Sequence, residues 1–235
     1  GIESGIDISG EVKGKLKKPR QFDGSTKIFM SYGYQLASTA LQTLNAYSAI
    51  ANKGVMMKPF LVKSILNDEG EIIEQQSPQK IRQVVSEKTA AIVTQMLQGV
   101  VEKGTAQQAH IPGMLIAGKT GTAQIANASE GYKNGKVRYQ ASFVGYFPAD
   151  QPKYSCIVVV YAPNGGVYYA AQVAGPIFKE IADKVYANNT ELHKDLKLEE
   201  DIQNNLPLVK SGMRCKVPPS AIDFSLNGVM AYQVA

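Results

Sequence analysis

Gly113-Met114-Leu115-Ile116-Ala117-Gly118-Lys119-Thr120-Gly121-Thr122-Ala123-Gln124 is the segment on which the reading of this chain turns. As a loop it satisfies a phosphate-binding spacing, Gly113-x-x-x-x-Gly118-Lys119-Thr120. A phosphate loop curls its backbone N–H groups around the anion and runs straight into a helix, whose N-terminus completes the site. Here the middle residues Met114, Leu115, Ile116 and Ala117 prefer a sheet to a solvated cradle. The segment then continues with Gly121, which weakens a helix, and with Thr122-Ala123-Gln124 in strand-like sequence. No apolar strand ending in Asp follows to hold a magnesium ion. The better reading is a strand that displays a cation, Lys119, beside the hydroxyls of Thr120 and Thr122.

Working outward, the strand sits among alternating helical and extended patterns. Pro19 to Ser31 reads as loop, rich in turn formers and charge. Thr39 opens a capping box with Gln42, and Leu41, Leu44, Tyr47, Ile50 and Ala51 recur at helical spacing until Gly54. Phe60 to Leu66 and Glu71 to Glu74 flank the turn Asn67-Asp68-Glu69-Gly70, which predicts a hairpin. Ser86 caps a second helix with Ile92, Val93, Met96, Leu97 and Val100 as its apolar face and Lys103-Gly104 as its stop. Gly113 to Ile125, Gln140 to Tyr146 and Tyr154 to Tyr161 then predict three neighbouring antiparallel strands. A last helix is expected from about Gly175-Pro176, with Ile177, Phe178, Ile181 and Val185 on one face. Helices, a meander and a terminal helix define an α+β fold with an antiparallel sheet flanked by helices.

Composition narrows the classes further. An apolar fraction of 44% over 235 residues supports one large core. The net charge of +5 is dispersed, with one local cluster at Lys13, Lys15, Lys17, Lys18 and Arg20 and no interleaved aromatics, so no nucleic-acid partner is expected. Cys156 and Cys215 lie far apart with no metal-ligand spacing, so no metal and no cofactor is expected. Cys156 falls in the apolar run Cys156-Ile157-Val158-Val159-Val160 and reads as a buried, inert thiol. His110 and His193 have no acidic or nucleophilic neighbour in sequence and read as solvated or core histidines. Tyr161-Ala162-Pro163-Asn164-Gly165-Gly166 reads as a turn at a strand end.

Several boxes stand in order along the chain: Gly5-Ile6-Asp7-Ile8-Ser9-Gly10-Glu11, Ser31-Tyr32-Gly33-Tyr34, Thr39-Ala40-Leu41-Gln42 with Ala51-Asn52-Lys53-Gly54, the Lys119-Thr120-Gly121 box, and Ala141-Ser142-Phe143-Val144-Gly145-Tyr146. Together and in this order they resemble class B penicillin-binding proteins. Ala174-Gly175-Pro176-Ile177-Phe178 resembles the start of that family's last helix. The resemblance implies a penicillin-binding/β-lactamase-like fold lacking its N-terminal portion, with residues 1–188 as the C-terminal part of the transpeptidase domain. Residues 189–235 read as a linker and an incomplete accessory module.

The function implied is a serine-type D,D-transpeptidase that cross-links peptidoglycan stem peptides in division or elongation. Its ligands are the D-Ala-D-Ala terminus and the β-lactams that mimic it. Lys119, Thr120, Gly121 and Thr122 would bind substrate, Lys119 and the two hydroxyls receiving the terminal carboxylate. The Thr122 backbone amide would form half of the oxyanion hole. Partners expected are the cell-wall synthesis or division machinery, and the parent would face the cell envelope from an N-terminal membrane anchor. Lost strands would leave open sheet edges and favour self-association.

The departure from the family pattern is the nucleophile, a serine followed one helical turn later by a lysine. Ser77-Pro78-Gln79-Lys80 fits the spacing, but Pro78 and its polar surroundings place it in a surface loop. The family's Ser-x-Asn proton relay is missing as well, since Ser225-Leu226-Asn227 fits its pattern but follows the Lys-Thr-Gly strand instead of preceding it. No nucleophile is therefore assigned in this chain; it is expected upstream of Gly1, and this fragment alone is expected to be inactive. A non-catalytic β-lactam sensor of the same fold, and the phosphate-loop nucleotide-binding domain, stand as the alternative readings.

Overall fold

A computed structural model describes residues 3–125, 137–189, 192 and 229–233. The first elements are short: β1 (Lys15–Leu16), a 3-10 turn at Pro19–Gln21, α1 (Thr26–Ser31) and β2 (Leu36–Ala37), with β1 and β2 paired antiparallel. The sequence reading made Pro19 to Ser31 loop throughout, and α1 corrects it. Asp23 explains the difference, because its carboxylate accepts from the Ser25 amide at 2.9 Å and the Ser25 hydroxyl at 2.7 Å. Those bonds hold its carboxyl well below the usual carboxylate range and gather the turn that starts the helix.

Next comes α2 (Ala40–Ala51), capped as its sequence predicts. The Gln42 amide donates to Thr39 Oγ1 at 3.1 Å, and the Thr39 amide donates to Gln42 Oε1 at 3.0 Å. Gly54 ends it at φ +82°, where a Cβ would lie 2.2 Å from the Val85 carbonyl, so only glycine turns the chain here. β3 (Val55–Met57), the hairpin strands β4 (Ser64–Leu66) and β5 (Ile72–Gln75), and β6 (Lys80–Gln83) follow. The hairpin forms about the predicted turn, with its first strand starting at Ser64 and not at Phe60; the pairing of β3 with β6 is not visible in sequence, because both strands are short, β3 half-buried and β6 exposed.

α3 (Glu87–Glu102) starts at Ser86, whose hydroxyl accepts from the Thr89 amide at 3.1 Å. Its buried residues are Ala90, Leu97 and Val101, whereas Ile92 and Met96 are exposed. Leu97 is buried and Val93 and Val100 pack against the core as predicted, but the buried face is turned from Ile92 and Met96 toward Ala90 and Val101. Small Ala90 lets it approach the sheet, where Thr94 Oγ1 meets the Tyr146 hydroxyl at 2.7 Å.

A 3-10 turn (Gln107–Ala109) leads to the main sheet, built from β7 (Ala117–Ile125), β8 (Arg138–Phe147) and β9 (Tyr154–Tyr161). The expected strand start at Gly113 is four residues early. Pro112 lacks a donor and Gly113 sits at φ +83° in a tight turn bridging Ile111 and Met114, so pairing begins only at Ala117. Among the described residues the sheet order is β10-β9-β8-β7, all antiparallel, with β10 (Val229–Gln233) along the outer side of β9 and β7 at the opposite edge.

α4 (Ala170–Asn188) closes the fold. It begins five residues before the predicted start, so Pro176 lies inside the helix instead of in its first turn. Pro176 cannot donate to the carbonyl four residues back. Burial of Ala174, Phe178 and Ala182 against the sheet outweighs that lost bond.

The sheet is covered on both faces, which is why β8 and β9 read as nearly continuous apolar runs. On one face Phe143, Phe147, Cys156 and Val158 pack against Phe178 of α4, with the Phe143 and Phe178 rings 4.5 Å apart. On the other, Leu44 of α2 meets Val144 and Ile157, and Leu97 of α3 meets Ala117 and Tyr146. Burying a side chain such as Phe178 contributes about 1.5–3 kcal/mol. The buried hydroxyls of Ser48 and Ser155, 2.7 Å apart, join α2 to β9. Cys156 is fully buried, and burial pushes its thiol up to about 12, in keeping with the inert thiol read from sequence. No helix among the described residues is long and apolar enough to cross a membrane.

Candidate functional site

Strand alternation sorts the residues of β7 onto two faces. Thr120 pairs with Phe143 and Thr122 with Ala141, so both hydroxyls lie on the face covered by α4. Lys119 pairs with Val144 and Gly121 with Ser142, on the α2 side. The four predicted binding residues are therefore brought together on one edge strand, and their side chains emerge from both its faces.

The two threonine side chains are held from different elements, and Lys119 folds back on its own strand. Lys119 is exposed, and its Nζ donates to the Thr120 carbonyl at 2.9 Å and lies 3.4 Å from Thr120 Oγ1. Among the described residues no carboxylate pairs with it. Thr120 Oγ1 is 3.1 Å from Thr105 Oγ1, in the link between α3 and the following 3-10 turn. Thr122 Oγ1 accepts from the Ala170 amide at 3.0 Å, in the first turn of α4. Ser142 Oγ donates to the Gly121 carbonyl at 3.3 Å, and a Cβ on Gly121 would lie 2.7 Å from Ser142 Oγ. Glycine at 121 thus leaves room for the Ser142 side chain within the sheet.

Sequence reasoning missed Thr105, Ser142 and the Ala170 amide. Thr105 directly follows the helix stop Lys103-Gly104, the one signal that could have singled it out. The Ala170 amide carries no side-chain signal at all. At the far end of β7, where Gln124 pairs with Tyr139, a cleft of about 650 Å³ is lined by Arg138, Tyr139, Asn164, Gly165 and Tyr168. The Tyr139 and Tyr168 rings stack with centroids 4.1 Å apart. The turn at Pro163 to Gly166, read from sequence as a strand end, forms one wall of this cleft.

The other candidates fall away from the strand. Ser77 is exposed in the link between β5 and β6, and Lys80 begins β6, so no helical turn aligns the two. His110 is exposed at the end of its 3-10 turn. Cys215, His193 and Ser225-Leu226-Asn227 lie outside the described residues. The phosphate-loop alternative is overturned, because Lys119 and Thr120 lie within a nine-residue strand and no helix starts there.

An antiparallel sheet between α2 and α3 on one side and α4 on the other, with Lys119-Thr120-Gly121 on its edge strand, defines a penicillin-binding fold. A family model for the penicillin-binding protein transpeptidase domain matches residues 1–183, and the chain belongs to that family. It is 35% identical to the penicillin-binding protein PbpB of Mycolicibacterium smegmatis over 190 residues, covering 77% of this chain and 29% of the relative. It is 32% identical to the peptidoglycan D,D-transpeptidase FtsI of Buchnera aphidicola, covering 79% of this chain and 31% of the relative. Among solved structures, penicillin-binding protein 3 of Mycobacterium tuberculosis superposes with a TM-score of 0.71 at 32% identity, over 82% of this chain and 44% of that one. The transpeptidase domain of Burkholderia pseudomallei penicillin-binding protein 3 gives 0.63 at 34% identity, over 78% of this chain and 53% of that one. The chain thus spans about three-tenths of the curated relatives' length.

Proposed function

We propose that this chain is part of a peptidoglycan D,D-transpeptidase that cross-links stem peptides during division or elongation. The observation that carries the reading is the edge position of β7, with a Lys119 ammonium that no carboxylate pairs among the described residues and two threonine hydroxyls on the same strand that neighbouring elements hold in place. An extended peptide ending in D-Ala-D-Ala adds to this edge through main-chain hydrogen bonds. Lys119 supplies positive charge, and Thr120 and Thr122 supply hydroxyl donors, to its terminal carboxylate. The Thr122 amide serves as one oxyanion donor as the scissile carbonyl is attacked. A β-lactam carboxylate binds the same groups; structures of the Mycobacterium tuberculosis relative with aztreonam and with ampicillin support that ligand class.

The nucleophile in this reading is a serine with a lysine one turn later, carried by sequence beyond these residues, since Ser77 and Lys80 are misplaced for the task. The envelope location, the membrane anchor and the division or elongation partners belong to the same proposal. Labelling with a fluorescent penicillin, read by intact mass on this chain and on the full-length protein, tests it. The expected result is one covalent adduct on the full-length protein and none on the chain. An adduct on this chain would return Ser77 to consideration, and labelling of neither would refute the enzyme reading.

A further inference from the structure

Thr120 is the one hydroxyl in the strand that both the Lys119 ammonium and a second hydroxyl approach. Lys119 Nζ lies 3.4 Å from Thr120 Oγ1, and Thr105 Oγ1 lies 3.1 Å from it. Thr105 is exposed, yet its backbone is fixed on both sides. A Cβ on Gly104 would lie 2.8 Å from the Val100 backbone, so glycine lets the chain fold back against the end of α3. Ala106 is buried, and its amide donates to the Val100 carbonyl at 3.1 Å. The hydroxyl of Thr105 is thereby presented to β7 from a point 15 residues away in sequence.

We propose that Thr105 is a positioning residue for the carboxylate-binding hydroxyl of Thr120. A hydroxyl carries one proton and two acceptor lone pairs. Either hydroxyl of this pair can donate; once a carboxylate takes the single Thr120 proton, Thr120 Oγ1 can only accept from its neighbours, so Thr105 then donates to it while the ammonium faces the same oxygen. A chain of donors of this kind polarises its last member and strengthens the terminal bond. Without Thr105 the Thr120 hydroxyl rotates among its staggered positions, and part of its population directs the proton away from the ligand. The inference rests on the carboxylate site proposed above, and Thr105 acts through Thr120 without touching substrate.

The test uses the full-length transpeptidase and two probes, a penicillin with its free carboxylate and the methyl ester of the same penicillin. Acylation rate constants are measured for Thr105→Val, Thr105→Ala, Thr105→Ser and Thr120→Val. For Thr105→Val and Thr105→Ala the free acid is expected to acylate about tenfold more slowly, in line with one lost net hydrogen bond, while the ester is unchanged. Thr105→Ser retains the hydroxyl and is expected to restore the rate for the acid. An equal fall for acid and ester, or no fall for either, overturns the inference while Thr120→Val still lowers the acid-to-ester ratio. If Thr120→Val leaves that ratio unchanged, the carboxylate site itself fails and the role of Thr105 fails with it. Thermal unfolding of each variant confirms that the comparison is made on folded protein.

Discussion

The hydroxyl of Thr122 accepts the Ala170 amide at 3.0 Å, so the edge strand of the candidate site is tied directly to the first turn of α4. That amide has no partner inside its own helix, and Thr122 satisfies it from another element. One hydroxyl therefore serves the fold through its oxygen, and in the carboxylate site proposed above its proton is the part offered to the ligand.

Replacing Thr122 by Val should remove the acceptor and leave the shape. The chain is expected to lose about 1 kcal/mol of stability, measured by urea unfolding, while Thr122→Ser stays close to the parent. Penicillin labelling of the full-length protein should fall with Thr122→Val and be largely kept by Thr122→Ser.

Phe178 is fully buried against Phe143 and Phe147, with ring centroids 4.5 and 5.7 Å away. Phe178→Ala opens a cavity beneath the sheet and should cost about 3–5 kcal/mol. A drop in the urea midpoint with little change in the slope would be the expected record. A midpoint shift worth less than about 1 kcal/mol would mean that α4 does not anchor the sheet as described.

Two glycines should respond in opposite senses to the same change. A Cβ on Gly145 would lie 2.7 Å from the Ala117 carbonyl, so Gly145→Ala forces β7 and β8 apart and is expected to cost 1–3 kcal/mol, roughly the overpacking range. Gly99 lies within α3 and a Cβ there meets nothing within 4 Å, so Gly99→Ala should stabilise by about 0.4–1 kcal/mol. Thermal unfolding of the two variants beside the parent checks both signs.

The buried hydroxyls of Ser48 and Ser155 form one unit, with Ser48 also donating to the Leu44 carbonyl at 3.0 Å. Removing either alone breaks the same hydroxyl–hydroxyl bond, so the Ser48→Ala/Ser155→Ala double variant should lose less than the sum of the singles. A double-mutant cycle in urea is expected to give a coupling of about 0.5–1.5 kcal/mol, and strict additivity would contradict the contact.

Burial raises the Cys156 thiol from 9.0 to about 12, so the folded state holds this proton more tightly than the unfolded chain. The stabilisation is then complete below pH 9 and is lost as the pH rises from about 9 toward 12. Urea midpoints measured from pH 8 to 11 should decline in the parent, and the decline should be shallower in Cys156→Val. Alkylation of the Cys156 peptide, followed by mass, should likewise be slow until the chain unfolds.

Local signals identified the elements whose determinants lie within a few residues. Thr39 with Gln42 and Ser86 with Thr89 are caps that form wherever the helix forms, so both helix starts were legible. The strand character of Lys119-Thr120-Gly121 was legible for the same reason, since Gly121 and the β-prone residues around it oppose a phosphate loop in any context. The order of the boxes was enough to place the chain in its family.

Contacts between distant segments had to come from the fold. Which face of α3 is buried depends on how closely Ala90 lets it approach the sheet, and the start of α4 depends on packing that outweighs Pro176. The sheet position of β7 is equally non-local, because an edge strand and a central one can share one sequence pattern. Thr105 and the Ala170 amide lie 15 and 48 residues from the threonines they hold. The residue types of the site follow from its sequence; the direction in which each hydroxyl points is set by tertiary neighbours, because a hydroxyl's orientation is decided by the partners that surround it.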